Sequence, residues 1–236
     1  MRPRTEAVVN WTVVNVVLIL ACWILFSAVT ARAQKQGQNA VYNPTGSATN
    51  SLAFIDAGMF AGNAQNRNLC SVLNYVLANI DQPPTYPNGA VIDARGIPGV
   101  TPLVSMTCTA SPWAGITNPP PSTILLPATG GTSPNPIIIP STWALPSNTR
   151  LVGEGDGIPS TTSPGTTIRA ASGFASGTAM ISFGLSSLCT AGCTGISAEK
   201  LTLDGHGQSI NGIGNGFSQS LSYVDHVSLY RILLYT

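Results

Sequence analysis

Lys200-Leu201-Thr202-Leu203-Asp204 is followed 26 positions on by His226-Val227-Ser228-Leu229-Tyr230, and both pentapeptides alternate apolar and polar residues in the same phase. Alternation with period two marks a half-buried strand. Two such strands stacked in parallel would set Leu201 beside Val227 and Leu203 beside Leu229, burying a column of apolar side chains one strand spacing, about 4.8 Å, apart. Lys200, Thr202 and Asp204 would then share an outer face with His226, Ser228 and Tyr230.

Working outward from this pair, short apolar runs recur at 90–93, 123–126, 136–139, 150–152, 166–169, 179–183, 200–203 and 223–229, separated by Gly, Pro, Asn and Ser. Strands this short and frequent, with no helices between them, leave a sandwich, a barrel or a solenoid. One apolar residue from successive runs gives Leu125, Leu151, Ile181, Leu201 and Val227, at steps of 26, 30, 20 and 26 residues. A recurrence of roughly 20 to 50 residues signals stacked repeats. The chain therefore reads as an all-β solenoid.

A single helix precedes the strands. Over 68–81, Leu69, Leu73, Val76, Leu77 and Ile80 fall on one helical face. Asn66 or Asn68 can cap this helix, and Pro83 and Pro84 stop it.

Composition narrows the function classes. Only 8% of the 236 residues are charged and the formal net charge is +1, which leaves no electrostatic footprint for nucleic acid. Helical bundles and coiled coils draw on Ala, Glu, Lys, Leu and Arg, whereas the polar content here is Ser, Thr, Asn and Gly. Gly (24) and Pro (18) make up about 18% of the chain, below the range at which disorder is the default.

The N-terminus reads as an export signal. Arg2 and Arg4 precede an apolar stretch at 13–29 that ends in Ala31-Arg32-Ala33, with cleavage expected between Ala33 and Gln34. Left uncleaved, about 17 apolar residues reach the lower bound for spanning a bilayer, and this is the single route to a membrane. Removing Arg2, Arg4, Arg32 and Glu6 leaves seven basic and eight acidic residues, so the exported chain is close to neutral. The expected organisation is a signal peptide at 1–33, a flexible leader at 34–51, an N-terminal capping segment with one helix at 52–121, and coils at 122–236. The expected location is secreted, extracellular or periplasmic.

Cysteine use agrees with export. Cys22 lies in the signal, and the remaining Cys70, Cys108, Cys189 and Cys193 form an even set in an oxidising compartment, which reads as two disulfides with three possible connectivities. The short spacing of Cys189 and Cys193 favours a local bridge, which leaves Cys70 with Cys108. His206 and His226 show no Cys/His spacing for zinc, so no metal site is assigned.

Six stretches stand out: Val91-Ile-Asp-Ala-Arg-Gly96, Thr123-Ile-Leu-Leu-Pro127, Leu145-Pro-Ser-Asn-Thr-Arg-Leu-Val-Gly-Glu-Gly155, Thr166-Thr-Ile-Arg169, Lys200-Leu-Thr-Leu-Asp-Gly205 and Val224-Asp-His-Val-Ser-Leu229. In this order they resemble the right-handed parallel β-helix proteins of the pectate lyase superfamily, in particular a secreted bacterial group with a capping N-terminal segment. The resemblance implies an all-β right-handed parallel β-helix with an N-terminal capping α-helix. It also implies extracellular polysaccharide as partner. Because the final strand is followed by no closing helix, the chain is expected to be the N-terminal part of a longer β-helix.

Candidate chemistry is sparse. Gly205-His206-Gly207 is similar to one motif of the polygalacturonase-type glycosidases, but their Asp-Asp pair is missing and Arg231-Ile-Leu233 lacks the lysine. Glycoside hydrolysis needs two carboxyls flanking the bond. A polysaccharide lyase needs a base and usually calcium held by clustered oxygens, and only on that reading is calcium a cofactor. The densest polar cluster, Glu199, Asp204, Asp225 and His226 with Lys200 and Arg231 nearby, supplies the candidate catalytic residues if adjacent coils bring them together. Otherwise these are solvated outer-face and turn residues. Glu154 and Asp156, between glycines, lack the further ligands of a cation loop and read as a coil corner. Trp113 and Trp143 are either sugar-stacking platforms or core. Two functions follow: a polysaccharide-acting or polysaccharide-binding β-helix, or a non-catalytic adhesive surface protein.

Overall fold

The computed structural model describes residues 53–82, 89–99, 103–130, 135–156, 165–189, 192–217 and 219–233. The expected signal, cleavage site and leader, together with Pro83 and Pro84, lie outside them. The described chain is mostly β, its strands are parallel, and its largest sheet curls into a half-barrel.

Among the described residues the chain visits one wall of this half-barrel six times. The strands are β1 (Ala53–Asp56), β2 (Ala90–Asp93), β3 (Ser122–Leu125), β6 (Thr149–Val152), the first part of β10 (Ser197–Ser209) and the first part of β13 (Tyr223–Leu233). Their register stacks Ile55, Ile92, Ile124, Leu151, Ala198 and Val224 in one inward column. The first five are buried, whereas Val224 on the last strand is 49% exposed. Complete burial of one Ile or Leu contributes roughly 1.5–3 kcal/mol, so the column is a main source of stability.

A second wall is made by β4 (Ile137–Ile139), β7 (Thr166–Ala170) and the later parts of β10 and β13, with Ile137, Ile168, Leu203 and Leu229 in register. Leu201 lies beside Val227 and Leu203 beside Leu229, the pairing that the two pentapeptides imply. A third set stacks β5 (Trp143–Leu145), β8 (Ala179–Phe183) and β11 (Asn211–Asn215), and β9 (Cys193–Thr194) pairs with β12 (Gln219–Ser220).

These registers correct the 25.5-residue spacing. Leu125 faces outward opposite Val152, and its neighbour Ile124 occupies the inward column. Ile181 belongs to the third set, beside Trp143 and Ile213. The residues that truly stack are separated by anything from 26 to 47 positions, because the connecting segments differ in length. Only the last step, Leu201 to Val227, joins stacked neighbours.

The helix α1 runs Leu69–Asn79, with Asn68 as its N-cap. The Asn68 carboxamide accepts from the Ser71 backbone N–H at 2.9 Å, and the Ser71 hydroxyl accepts from the Asn68 N–H at 3.1 Å. This reciprocal pairing satisfies two donors that a helix start leaves open. Leu69, Val72, Leu73, Val76 and Leu77 are fully buried. Cys70 of α1 is bonded to Cys108, and Cys189 to Cys193. Closing the 38-residue span between Cys70 and Cys108 constrains the unfolded chain by about 4 kcal/mol in the loop-entropy description. Both bridges indicate a non-reducing environment. Among the described residues no helix is long and apolar enough to cross a membrane.

Trp113 and Trp143 are buried and meet edge to face, with ring centroids 6.2 Å apart. They are core, not sugar platforms.

Candidate functional site

The candidate acids sit where β10 and β13 bend around the corner between the first two walls. Lys200 and His206 in β10, and His226 and Arg231 in β13, have positive φ of 52°, 56°, 49° and 48°. Single left-handed residues of this kind break a strand and re-aim it. Glu199 pairs with Asp225 before the corner, and Leu201 with Val227 after it, so Lys200 and His226 form equivalent corners on adjacent strands. Gly153 marks the matching place after β6. A Cβ there would lie 2.2 Å from the Lys200 carbonyl oxygen, so the corner requires glycine.

Glu199 is 7% exposed and fully engaged. Arg150 donates to it through Nε (3.0 Å) and Nη2 (2.9 Å), Ser197 through Oγ (2.6 Å) and Tyr223 through Oη (2.8 Å). Burial works against the charge, but hydrogen bonds from Arg150, Ser197 and Tyr223 outweigh it and hold the carboxyl at a pKa of about 2.

Asp204 is completely buried. It accepts from Arg169 Nε (2.7 Å), Arg231 Nε (2.9 Å) and the His206 backbone N–H (3.0 Å). Burial again opposes ionisation, and the bonds from Arg231, the His206 amide and Arg169 overcome it, so the pKa is lowered. Gly205-His206-Gly207 is thus a turn whose amide closes on Asp204.

Asp225 and His226 form a third, separate pair at the surface, with His226 Nδ1 2.7 Å from Asp225 Oδ1 and the side chains 45% and 69% exposed. The structure therefore brings the four candidates onto two adjacent strands but gives each carboxylate its own partners. Among the described residues no three His, Cys, Asp or Glu side chains are grouped closely enough to hold a metal ion. Glu199 and Asp204 are also not the solvated residues of the alternative reading; both are buried ions. Thr202, read as outer-face, is 1% exposed.

A general acid or base works best with a pKa near the operating pH. Glu199 and Asp204 lie far below neutrality, so neither holds a proton to donate, and both are saturated with donors. Both carboxylates tie neighbouring strands together. Glu154 and Asp156 also act locally: Glu154 lies 3.7 Å from Arg95, and Asp156 accepts from the Ser228 hydroxyl at 3.1 Å.

Sequence reasoning did not find Arg150, Arg169 or Tyr223 as partners, and it placed Arg231 only near the cluster. The arginines sit 49 and 35 positions before their acids. The available signal was an arginine at a polar position of each run, Thr149-Arg-Leu-Val152 and Thr166-Thr-Ile-Arg169.

One further titratable group stands apart. Asp81, just after α1, is fully buried, and among the described residues neither carboxylate oxygen has a well-formed hydrogen bond. Burial raises its pKa to about 7, which the nearby Ala90 backbone N–H only partly counters.

Comparison with protein-family models, with curated proteins and with solved structures found no match to this chain.

Proposed function

We propose that the chain is a secreted right-handed parallel β-helix, similar to the pectate lyase superfamily, that binds extracellular polysaccharide without cleaving it at Glu199 or Asp204. One observation carries this reading: the two acids most favourably placed for chemistry are buried, ionised and consumed by arginine. Glycoside hydrolysis needs one carboxyl that is protonated and one that is free, and neither acid meets that demand. What the fold offers instead is a regular parallel wall six strands wide, roughly 24 Å along its stacking direction. A surface with few free charges recognises ligands through hydroxyls, amides and ring faces, the groups suited to sugars. The two disulfides suit an extracellular setting.

A second reading draws on the exposed Asp225–His226 pair, in which a carboxylate orients an imidazole as in general-base catalysis. The two are separated by incubating the full exported chain with immobilised pectin, xylan and β-glucan. The measurements are retention and the release of reducing or unsaturated ends. Retention without product is expected. Product that disappears in His226→Ala establishes the catalytic reading, and no retention on any polymer ends the polysaccharide reading.

A further inference from the structure

A groove of about 490 Å³ runs between α1 and the segment 109–114, within the size range of small-molecule sites. Among the described residues no charged side chain lines it. One wall is the outer stripe of α1, where Ser71, Tyr75 and Asn79 follow one another at four-residue spacing, with Asn74 beside them. Solvated helix faces usually carry Lys and Glu, which stabilise a helix through pairs three or four residues apart. The sequence of α1, Leu-Cys-Ser-Val-Leu-Asn-Tyr-Val-Leu-Ala-Asn, has none. Helix stability does not explain so uniformly neutral a face.

The hydrogen bonds already made determine what the groove has left to offer. Asn74 Nδ2 donates to the Pro112 and Ala114 carbonyls, both at 2.9 Å, so the amide is pinned across the two walls with its Oδ1 as remaining acceptor. Asn79 Nδ2 donates to the Tyr75 carbonyl at 2.9 Å, again leaving Oδ1. Asn63 Nδ2 donates to the Tyr75 hydroxyl at 3.1 Å, which leaves the phenolic proton to give. The Tyr75 ring rests against Phe60, centroids 6.1 Å apart, so an aromatic face is held in place. Asn66, in the left-handed region at φ 65°, adds a further carboxamide to the lining. The Cys70–Cys108 bridge joins the two walls, so little ordering cost remains for a ligand to meet.

We propose that this groove binds a neutral, hydroxyl-rich saccharide, taking one or two sugar units of a longer glycan. Fixed acceptors and a phenolic donor match hydroxyls, each of which both donates and accepts. The Tyr75 ring supplies an apolar surface for the C–H face of a sugar. A uronate or phosphate would find no cation there, and an amine no carboxylate. The inference rests on the polysaccharide reading and adds to it a place and a ligand class.

The test is titration calorimetry of the full exported chain with cellohexaose, xylohexaose, mannohexaose and hexagalacturonate. Two variants accompany it. Asn66→Gly/Asn79→Ala removes two carboxamides while keeping the left-handed turn open to glycine, and Tyr75→Phe removes only a hydroxyl. The expected result is binding of at least one neutral hexasaccharide, weakened roughly tenfold or more in the double variant and several-fold in Tyr75→Phe, with Tm unchanged. Neutral binding at wild-type strength in both variants overturns the groove but leaves the polysaccharide reading standing. Binding of hexagalacturonate alone does the same. No binding of any of the four by the wild type removes both.

Discussion

Glu199 and Arg150 meet in a forked pair, Nε to Oε1 at 3.0 Å and Nη2 to Oε2 at 2.9 Å, although 49 residues separate them. Arg150 stands directly opposite Ser197, two positions before Glu199 on the neighbouring parallel strand, so the guanidinium reaches diagonally along the outer face. A one-residue slip of β10 against β6 would turn Glu199 toward the apolar interior, where a carboxylate is far more costly than outside. The pair therefore helps to specify register as well as to stabilise it.

Acid should expose this contribution. In the unfolded chain the Glu199 carboxyl titrates near 4.5, and in the folded protein at about 2. The folded state thus holds fewer protons between those values, and the stability the group provides is complete above about pH 4.5 and lost as the pH falls toward 2. The upper bound is about 3 kcal/mol. Urea unfolding of Glu199→Gln should give lower stability than wild type at neutral pH and a shallower decline in acid, with a residual slope from Asp204. Parallel pH profiles for the two proteins would refute the assignment.

Asp81 should behave oppositely. Its pKa rises on folding from 3.8 to about 7, so the folded state holds the extra proton across that window. Stability is complete below about pH 4 and declines as the pH rises toward 7, where a buried, poorly hydrogen-bonded charge must form. Asp81→Asn removes the penalty. Its Tm should exceed wild type at about pH 8, by roughly 2–4 °C for each kcal/mol recovered, and the gap should close at about pH 4. An equal gap at both pH values would show that packing, not ionisation, is responsible.

Gly153→Ala tests the corner. The added methyl would meet the Lys200 carbonyl at 2.2 Å and the Thr166 Cβ at 2.8 Å, so strands β6, β7 and β10 must all shift. A loss of about 2 kcal/mol or more is expected. At Gly62 nothing lies within 4 Å of an added Cβ, and Gly62→Ala should be close to neutral in the same thermal melts. Equal Tm values for the two variants would contradict the register described here.

Legibility in the sequence followed the range of the interaction. The expected strand at 179–183 appears as Ala179–Phe183, and the helix expected over 68–81 appears as Leu69–Asn79, because both rest on periodicities of a few residues. Cys193–Thr194 and Gln219–Ser220, two residues each, are too short to show a period. Ala53–Asp56, inside the stretch expected to be cap, joins the main sheet, since its pairing with Ala90–Asp93 depends on a partner 37 positions away.

The same division runs through the candidate site. The pairing of Leu201 with Val227 follows from two matching pentapeptides joined by one connection, and the clustering of Glu199, Asp204, Asp225 and His226 on adjacent strands follows with it. The partners of those acids do not.

The sequence by itself determined the strand phase of the last two runs, the buried face of α1, and a supply of cysteines for two bridges, because backbone geometry imposes its period on any short segment. Only the tertiary structure decided which strands are neighbours, that Arg150 and Arg169 with Arg231 neutralise Glu199 and Asp204, and that Leu125 faces outward while Ile124 stacks. Those outcomes depend on connections of unequal length being closed by packing, and the length of a connection does not set the register of the strand that follows it.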